Sequence, residues 1–263
     1  MSSIPLCDNL TALILTWNEV PNIDRTLSRL TWVGRIVVVD SFSSDRTPEI
    51  ASSYPNTEVY QREFDDHTSQ WNYGLQQTGM DTEWVLSLDA DYYLPEDVSK
   101  EITRKIEEAG ADGYRLHFRY AINGKPIRSG IYPPVIALFR REKGIYEQDG
   151  HTQKLKLSGT VADLQHRALH DDRKPMKRWL TSQYNYASLE AEKLLGSEQA
   201  SLSRQDKLRL KRKWTPFLVW IYCIFGRSGW RDGAAGAQYA FQRMIAEALL
   251  QYCLIEKKSE SEK

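Results

Sequence analysis

Three stretches in the first ninety residues are apolar almost without interruption, and each runs into a polar end. Leu10 to Thr16 leads into Trp17-Asn18-Glu19, Arg35 to Asp40 leads into Ser41-Phe42-Ser43-Ser44-Asp45-Arg46-Thr47, and Trp84 to Leu88 leads into Asp89-Ala90-Asp91. Continuous rather than alternating apolarity predicts strands buried on both faces, as in a parallel sheet covered by helices. Helices are predicted between the strands. Pro21 suits a first turn, with Ile23, Leu27 and Leu30 at helical spacing, and shorter helices fit Pro48 to Ser53 and Thr68 to Thr78. The order is βαβαβ, and ligands in such sheets bind beyond the carboxyl ends of the strands.

Downstream the pattern changes. Asp97 to Ala109 has helical spacing (Val98, Ile102, Ile106) and stops at Gly110. Tyr114 to Tyr120 and Ile136 to Arg140 read as strands, and Asn123-Gly124 is a hairpin signal. Leu155 and Leu157 alternate before a turn at Gly159, and Leu164 to Leu169 is a further run ending in His170-Asp171-Asp172-Arg173. Met176 to Leu195 predicts a helix with Trp179, Leu180, Tyr184, Ala187, Ala191 and Leu194 on a core face. A final amphipathic helix is expected with Phe241, Met244, Ile245, Ala248, Leu249 and Tyr252 as its stripe. Between these helices, Arg204 to Lys213 holds six Lys or Arg against Asp206 alone and runs into the aromatic-rich segment Trp214 to Phe225.

Asp89 and Asp91 carry the first candidate chemistry. Alternation brings residues two apart to one side of an extended chain, and two carboxylates about 4 Å apart repel by about 4 kcal/mol at a protein-like dielectric. A divalent cation shared with phosphate oxygens offsets that repulsion. His170, following a strand, is a candidate metal or phosphate contact. The basic and aromatic segment has the chemistry of a bilayer interface, with cations for anionic headgroups and Trp at the boundary. Lys211, Arg212, Lys213, Trp214, Phe217 and Trp220 are the expected membrane contacts. Twelve apolar residues are too few to span a bilayer.

Composition narrows the classes. At 263 residues and 41% apolar content the chain can bury one large α/β domain with a helical appendage. A formal net charge of zero gives no electrostatic footprint for nucleic acid. Cys7, Cys223 and Cys253 are scattered and odd in number, with neither a disulfide framework nor zinc-ligand spacing. With no signal-peptide pattern at the N-terminus, a cytoplasmic protein is expected.

The ordered motifs Leu15-Thr-Trp-Asn-Glu19, Val37-Val-Val-Asp-Ser-Phe-Ser-Ser-Asp-Arg-Thr47, Gln70-Trp-Asn72 and Leu86-Ser-Leu-Asp-Ala-Asp91 resemble family 2 glycosyltransferases of the GT-A fold, especially bacterial enzymes of lipopolysaccharide core or lipid-linked glycans. The resemblance covers about the first hundred residues. It implies an α/β fold with a Rossmann-like nucleotide-binding sheet in residues 1–171 (1–94 for the nucleotide-sugar, 95–171 for the acceptor) and a helical extension in 172–263. It implies a nucleotide-sugar donor, of which a UDP-hexose is the expected one, and Mg2+ or Mn2+ as cofactor. Thr16, Asn18, Glu19 and Asp40 would hold base and ribose, Asp89 would lie near the ribose, and Asp91 would bind the metal. Asp149 best matches the position of the catalytic base, with Glu147 and His151 as alternatives. Many members carry Arg where this chain has Trp71, which leaves that contact to another group, for instance Arg62. The C-terminal third resembles that of enzymes with lipid acceptors, which implies a glycan or lipid-linked acceptor met at the inner face of the cytoplasmic membrane. A sugar-1-phosphate nucleotidyltransferase and a non-catalytic binding module stand as rivals. The first should carry a Gly-rich basic loop where this chain has Trp17 to Pro21, and donor turnover separates the second.

Overall fold

The computed structural model describes residues 4–149, 152–198 and 202–261. Its main sheet begins with the three apolar runs: β1 (Cys7–Thr16), β2 (Val33–Asp40) and β4 (Trp84–Asp89), with β3 (Thr57–Gln61) outside β2. These four are parallel neighbours in the order β3-β2-β1-β4. Side chains alternate across the sheet, so Leu10, Ala12 and Ile14 enter one hydrophobic cluster while Leu13 joins Val37, Val39 and Val85 in the other. Both faces need cover. The short helix α1 (Ile23–Leu27) and α4 (Glu96–Glu108) supply Ile23, Leu27, Val98 and Ile102 to the first face. On the second face α3 (His67–Gln77) supplies Trp71 and Leu75. Helix α2 (Thr47–Ser52) follows β2 with Pro48 in its first turn.

Beyond β4 the sheet becomes mixed. The two-residue β5 (Tyr92–Tyr93) is followed by β6 (Gly113–Ile122), and Asn123 and Gly124, with φ of 50° and 79°, form the expected tight turn before β7 (Lys125–Pro126). Strand β8 (Val135–Arg140) inserts antiparallel between β4 and β6, and β11 (Val161–His170) lies parallel to β6 and antiparallel to β5. A separate two-stranded sheet joins β9 (Gly144–Asp149) and β10 (Thr152–Leu157). The architecture is a mostly parallel sheet flanked by helices, followed by a C-terminal helical region.

Two compact units can be described. One contains Met1–Gly124, Tyr132–Gln148 and Thr152–Arg173, and holds both sheet cores. The other contains Lys125–Ile131, Asp149–His151 and Lys174–Lys263. In the second, α5 (Met176–Gly196) and α8 (Gly233–Ser261) bury Ala187, Ala191 and Leu194 against Leu250, Cys253 and Leu254. Two expectations need correction here. The proposed α5 core face is buried only at Ala187, Ala191 and Leu194, since Leu180 and Tyr184 are exposed. On α8, Phe241, Ala248 and Tyr252 are exposed, whereas Ala240, Glu247, Leu250 and Gln251 are buried. The buried face thus includes polar residues that an apolar count passes over. Glu247 takes both its oxygens to Arg209 of α6 (Arg204–Lys211), and Gln251 donates to the Arg209 carbonyl at 3.0 Å.

Candidate active site

Register brings the polar strand ends level. Thr16 of β1 pairs with Asp40 of β2, and Leu15 pairs with Asp89 of β4. The fully buried Asp40 accepts from Thr16 Oγ1 at 2.8 Å, from the Ser43 amide at 2.8 Å and from Ser43 Oγ at 2.5 Å. Asn18 adopts a left-handed backbone (φ 55°), which its short amide side chain tolerates. Its Oδ1 accepts from the Ser44 and Asp45 amides, and its own amide donates to Ser43 Oγ at 2.7 Å. Glu19 is buried, with its amide on Thr47 Oγ1 and its carboxylate accepting from Asn22. Thr16, Asn18, Glu19 and Asp40 thus interlock the β1 and β2 ends into one shaped loop pair.

Asp89 and Asp91 lie beside that loop pair. The Asp89 carboxyl is enclosed by protein although part of the residue faces a cavity. Burial and the neighbouring Asp91 push its pKa above the usual carboxylate range, with Tyr92, His170 and His67 easing the effect. Asp91 is buried, and its Oδ2 lies 3.2 Å from His170 Nε2 at the end of β11. Burial alone would lower the pKa of that imidazole, but the Asp91, Asp89 and Asp172 charges outweigh it, and the His170 pKa is raised. Tyr132, Tyr120 and Tyr92 surround the ring with centroids 4.4, 4.8 and 5.4 Å away. The Tyr92 and Tyr132 hydroxyls are 2.7 Å apart, and burial raises the pKa of both phenols. The rest of the His170 cluster braces the site: buried Asp171 pairs with Arg25 and Arg173 and accepts from the Gly124 amide, and Asp172 accepts from Asn22.

The cavity, about 470 Å³, is lined by Asp89, Tyr92, Tyr132, Tyr146, Trp71, Arg115, Gln153 and Lys154 among others. Trp71 stacks on Tyr146 with ring centroids 5.2 Å apart. Arg62 is engaged with Asp65 at 2.7 Å and with Gln70 at 3.0 Å. Tyr132, Arg115 and Lys154 were not among the residues singled out in the sequence, and Tyr146 and Gln153 stood out there only as the ends of a polar cluster around Asp149. They come from β6, β9, β10 and the segment before β8, and only folding unites them. Asp149 closes β9, but its side chain, like all of His151, lies outside the described residues. Glu147 is exposed and accepts from Lys156 at 2.8 Å.

Among the described residues no group of three or more His, Cys, Asp or Glu side chains is arranged to hold a metal ion by itself. A Mg2+ on a nucleotide needs only one or two carboxylates, since phosphate oxygens and waters complete its shell. The donor set fits that requirement. Asp91 and Asp89 supply anionic oxygens, and His170 adds a buried ring whose Nδ1 has no hydrogen-bond partner among the described residues.

In the C-terminal unit Lys211, Arg212 and Lys213 are exposed, as are Trp214 (49%), just before α7 (Thr215–Ile221), and Phe217 (65%) on it. Trp220 is half-buried, its ring 6.1 Å from Phe241 and its Nε1 enclosed. Arg209 is held by Glu247, so it is not one of the freely solvated cations. Among the described residues no helix is long and apolar enough to cross a membrane.

The parallel strands thus present an acidic pair beyond their carboxyl ends, where open α/β sheets bind ligands. The family model described as "Glycosyl transferase family 2" matches residues 11–162, more than half of the chain, and the chain belongs to that family. It is similar to an uncharacterised glycosyltransferase of Rickettsia felis, at 22% identity over 96% of this chain and 93% of that one. A Rickettsia bellii glycosyltransferase, also uncharacterised, is 31% identical over 39% of this chain and 33% of its own length. The fold is similar to that of S. aureus TarS residues 1–349, solved in complex with UDP-GlcNAc (TM-score 0.52, 17% identity, 95% of this chain and 92% of that one). The fold matches GT-A glycosyltransferase structures, and family membership sets the nucleotidyltransferase reading aside.

Proposed function

We propose that this protein is an inverting glycosyltransferase that moves a hexosyl group from a nucleoside diphosphate sugar, a UDP-hexose being the first candidate, to a hydroxyl of a glycan or lipid-linked acceptor at the cytoplasmic face of a membrane. The observation that carries the donor half is the level alignment of Thr16, Asp40 and Asp89 at the ends of parallel strands, with Asp91 and His170 beside them. Residues 1–94 take the donor in this reading, 95–171 the acceptor, and 172–263 meet the membrane. The loops locked by Thr16, Asn18, Glu19 and Asp40 receive base and ribose, and Asp89 faces the ribose. Asp91, with Asp89 and His170 beside it, would hold Mg2+ or Mn2+, which when bound neutralises charge on the departing diphosphate.

The chain's own groups do the rest. His170, caged by three tyrosines, fixes the Asp91 carboxylate. Asp149 accepts the proton of the acceptor hydroxyl as that oxygen attacks the anomeric carbon from the side opposite the leaving diphosphate. Trp214 and Phe217, exposed beside Lys211, Arg212 and Lys213, support docking at an anionic bilayer surface.

The test is a screen of UDP- and GDP-sugars for release of nucleoside diphosphate, with Mg2+, with Mn2+ and with EDTA. Calorimetric binding of each donor runs in parallel. A reading based on this site expects one donor class to bind and turn over, and binding of none of them would refute it. Liposome co-sedimentation tests the membrane half. The wild-type chain should pellet with anionic vesicles at low salt, and a chain left in the supernatant would refute that half.

A further inference from the structure

Within the C-terminal unit the loop Lys125–Ile131 is bound down tightly. Asp232 Oδ2 accepts from the Arg128 amide at 2.8 Å, the Ser129 amide at 3.1 Å and Ser129 Oγ at 3.2 Å. The Ile131 amide donates to the Tyr239 hydroxyl at 2.8 Å. A π-helical turn, Tyr222–Gly226, leads to Ser228 in a left-handed conformation (φ 58°) and then Gly229. A Cβ on Gly229 would come within 2.6 Å of the Cys223 carbonyl oxygen, so this turn tolerates no side chain there. The result is a closely packed backbone floor.

Over that floor opens a pocket of about 460 Å³ lined by Arg128, Arg227, Arg231, Gly226 and Ser228. Three arginines line it, and no carboxylate is among the described lining residues. Arg227 donates to the Gly130 carbonyl at 3.2 Å, and Arg231 lies 5.3 Å from the centre of the Trp230 ring. None of the three forms an ion pair with a carboxylate among the described residues. Asp232, the nearest acid in the chain, directs its Oδ2 to the loop amides. Three cations lining one pocket suit an anion with several oxygens. A phosphate suits three planar donor forks better than a carboxylate, which has only two oxygens to share.

The pocket's surroundings indicate where that phosphate comes from. Phe225 (65% exposed) and Trp230 (62%) flank it, and Phe217, Ile221 and Phe225 follow one another at four-residue spacing, all exposed. A soluble phosphate would have no use for this apolar border, whereas a lipid would lay its hydrocarbon along it. We propose that Arg128, Arg227 and Arg231 form a binding site for the phosphomonoester or diphosphate group of a membrane lipid, with the lipid chain lying against Phe225 and Trp230. The site rests on the membrane reading above and is separate from the donor cavity.

Vesicle co-sedimentation with phosphatidylcholine doped with either phosphatidic acid or phosphatidylserine, matched in surface charge, tests it, with inorganic diphosphate as a soluble probe. The wild-type chain should bind the phosphatidic acid vesicles about tenfold more tightly, since one charge-assisted contact to a phosphate is enough for that difference. Arg231→Gln and the pair Arg128→Gln with Arg231→Gln should erase this preference and keep phosphatidylserine binding. Replacing Lys211, Arg212 and Lys213 by Ser should instead weaken both. Among the described residues neither Arg128 nor Arg231 makes a side-chain ion pair, and Arg231 gives up only its contact with the Trp230 ring, so these variants should melt close to the wild type, and nucleotide-sugar turnover should stay unchanged. Equal affinity for the two vesicle types, or a preference that survives in the variants, overturns the proposal. Tight diphosphate binding without any vesicle preference marks a soluble-phosphate site and overturns the lipid assignment. If the wild type pellets with neither vesicle, the membrane reading itself falls, and turnover of nucleotide-sugar shows independently whether the glycosyltransferase reading stands.

Discussion

Replacing Asp89 by Asn should make the ligand-free protein more stable and the donor site useless. The Asp89 carboxyl is enclosed at the end of β4, and both burial and Asp91 oppose its ionisation. Two like charges about 6 Å apart at an effective dielectric of 20 repel by about 3 kcal/mol. His170, 3.2 Å from Asp91, offsets part of this, so at most about 3 kcal/mol is regained. The amide keeps the shape of the side chain and can still accept from the Tyr92 hydroxyl. At pH 7.5 without ligand, the variant should melt higher, by about 2–4 °C for each kcal/mol in a chain of this size. Adding Mg2+ and nucleoside diphosphate should raise the wild-type melting temperature and leave that of the variant nearly where it was, because ligand stabilisation follows affinity. Scanning calorimetry of both proteins with and without ligand provides the four values. A variant that melts lower when empty, or that shows the full ligand-induced rise, would refute the picture of a carboxylate pair kept for function at the expense of stability.

Chelation and Asp91→Ala should each weaken nucleoside diphosphate binding at least about tenfold, as expected for loss of a charged contact, and calorimetry showing equal affinity with and without metal would remove Asp91 from the metal role. Asp149→Asn should lower turnover by about 10²–10⁴-fold with donor affinity unchanged, and near-normal turnover would move the base to Glu147 or His151. Glu101 sets a pH dependence. Burial works against its ionisation, but the Gln165 and His166 amides and the His166 ring, each donating at 2.9 Å, override burial and bring its pKa below the ordinary 4.5. Its stabilisation is therefore complete above that ordinary value and is lost as pH falls through the lower folded-state value. Glu101→Gln should cost about 1–3 kcal/mol at pH 7, and the gap between urea melts of the two proteins should narrow in acid; a constant gap would contradict the assignment.

Local pattern made the donor half of the fold readable. Strands β1, β2 and β4 are continuous apolar runs because helices cover both their faces, and their polar ends mark where the sheet stops. The place of β8 between β4 and β6 was hidden, since antiparallel insertion is a non-local choice with no signature in the strand itself. The tyrosine cage around His170 was hidden for the same reason: Tyr92, Tyr120 and Tyr132 are each unremarkable in their own segments. On α8, counting apolar residues selected a stripe containing Phe241 and Tyr252, which are exposed, because the true inner face carries Glu247 and Gln251 to meet Arg209. Trp220 was assigned to the membrane by composition; its ring also lies 6.1 Å from Phe241, a neighbour that composition could not name.

Asn72 of α3 donates to the Tyr146 carbonyl at 2.9 Å and accepts from the Tyr146 amide at 3.0 Å. Strand β9 belongs to a sheet only two strands wide, and a narrow ribbon with open backbone groups invites pairing with another chain. The primary amide of Asn72 is a peptide group in miniature and occupies the backbone groups that a foreign strand would seek. A helix side chain thus takes the place of a neighbouring strand at this one residue of β9. Aspartate at this position, with no N–H to give, would leave the Tyr146 carbonyl open, so even the smallest change from amide to acid reopens a seam along which molecules could join.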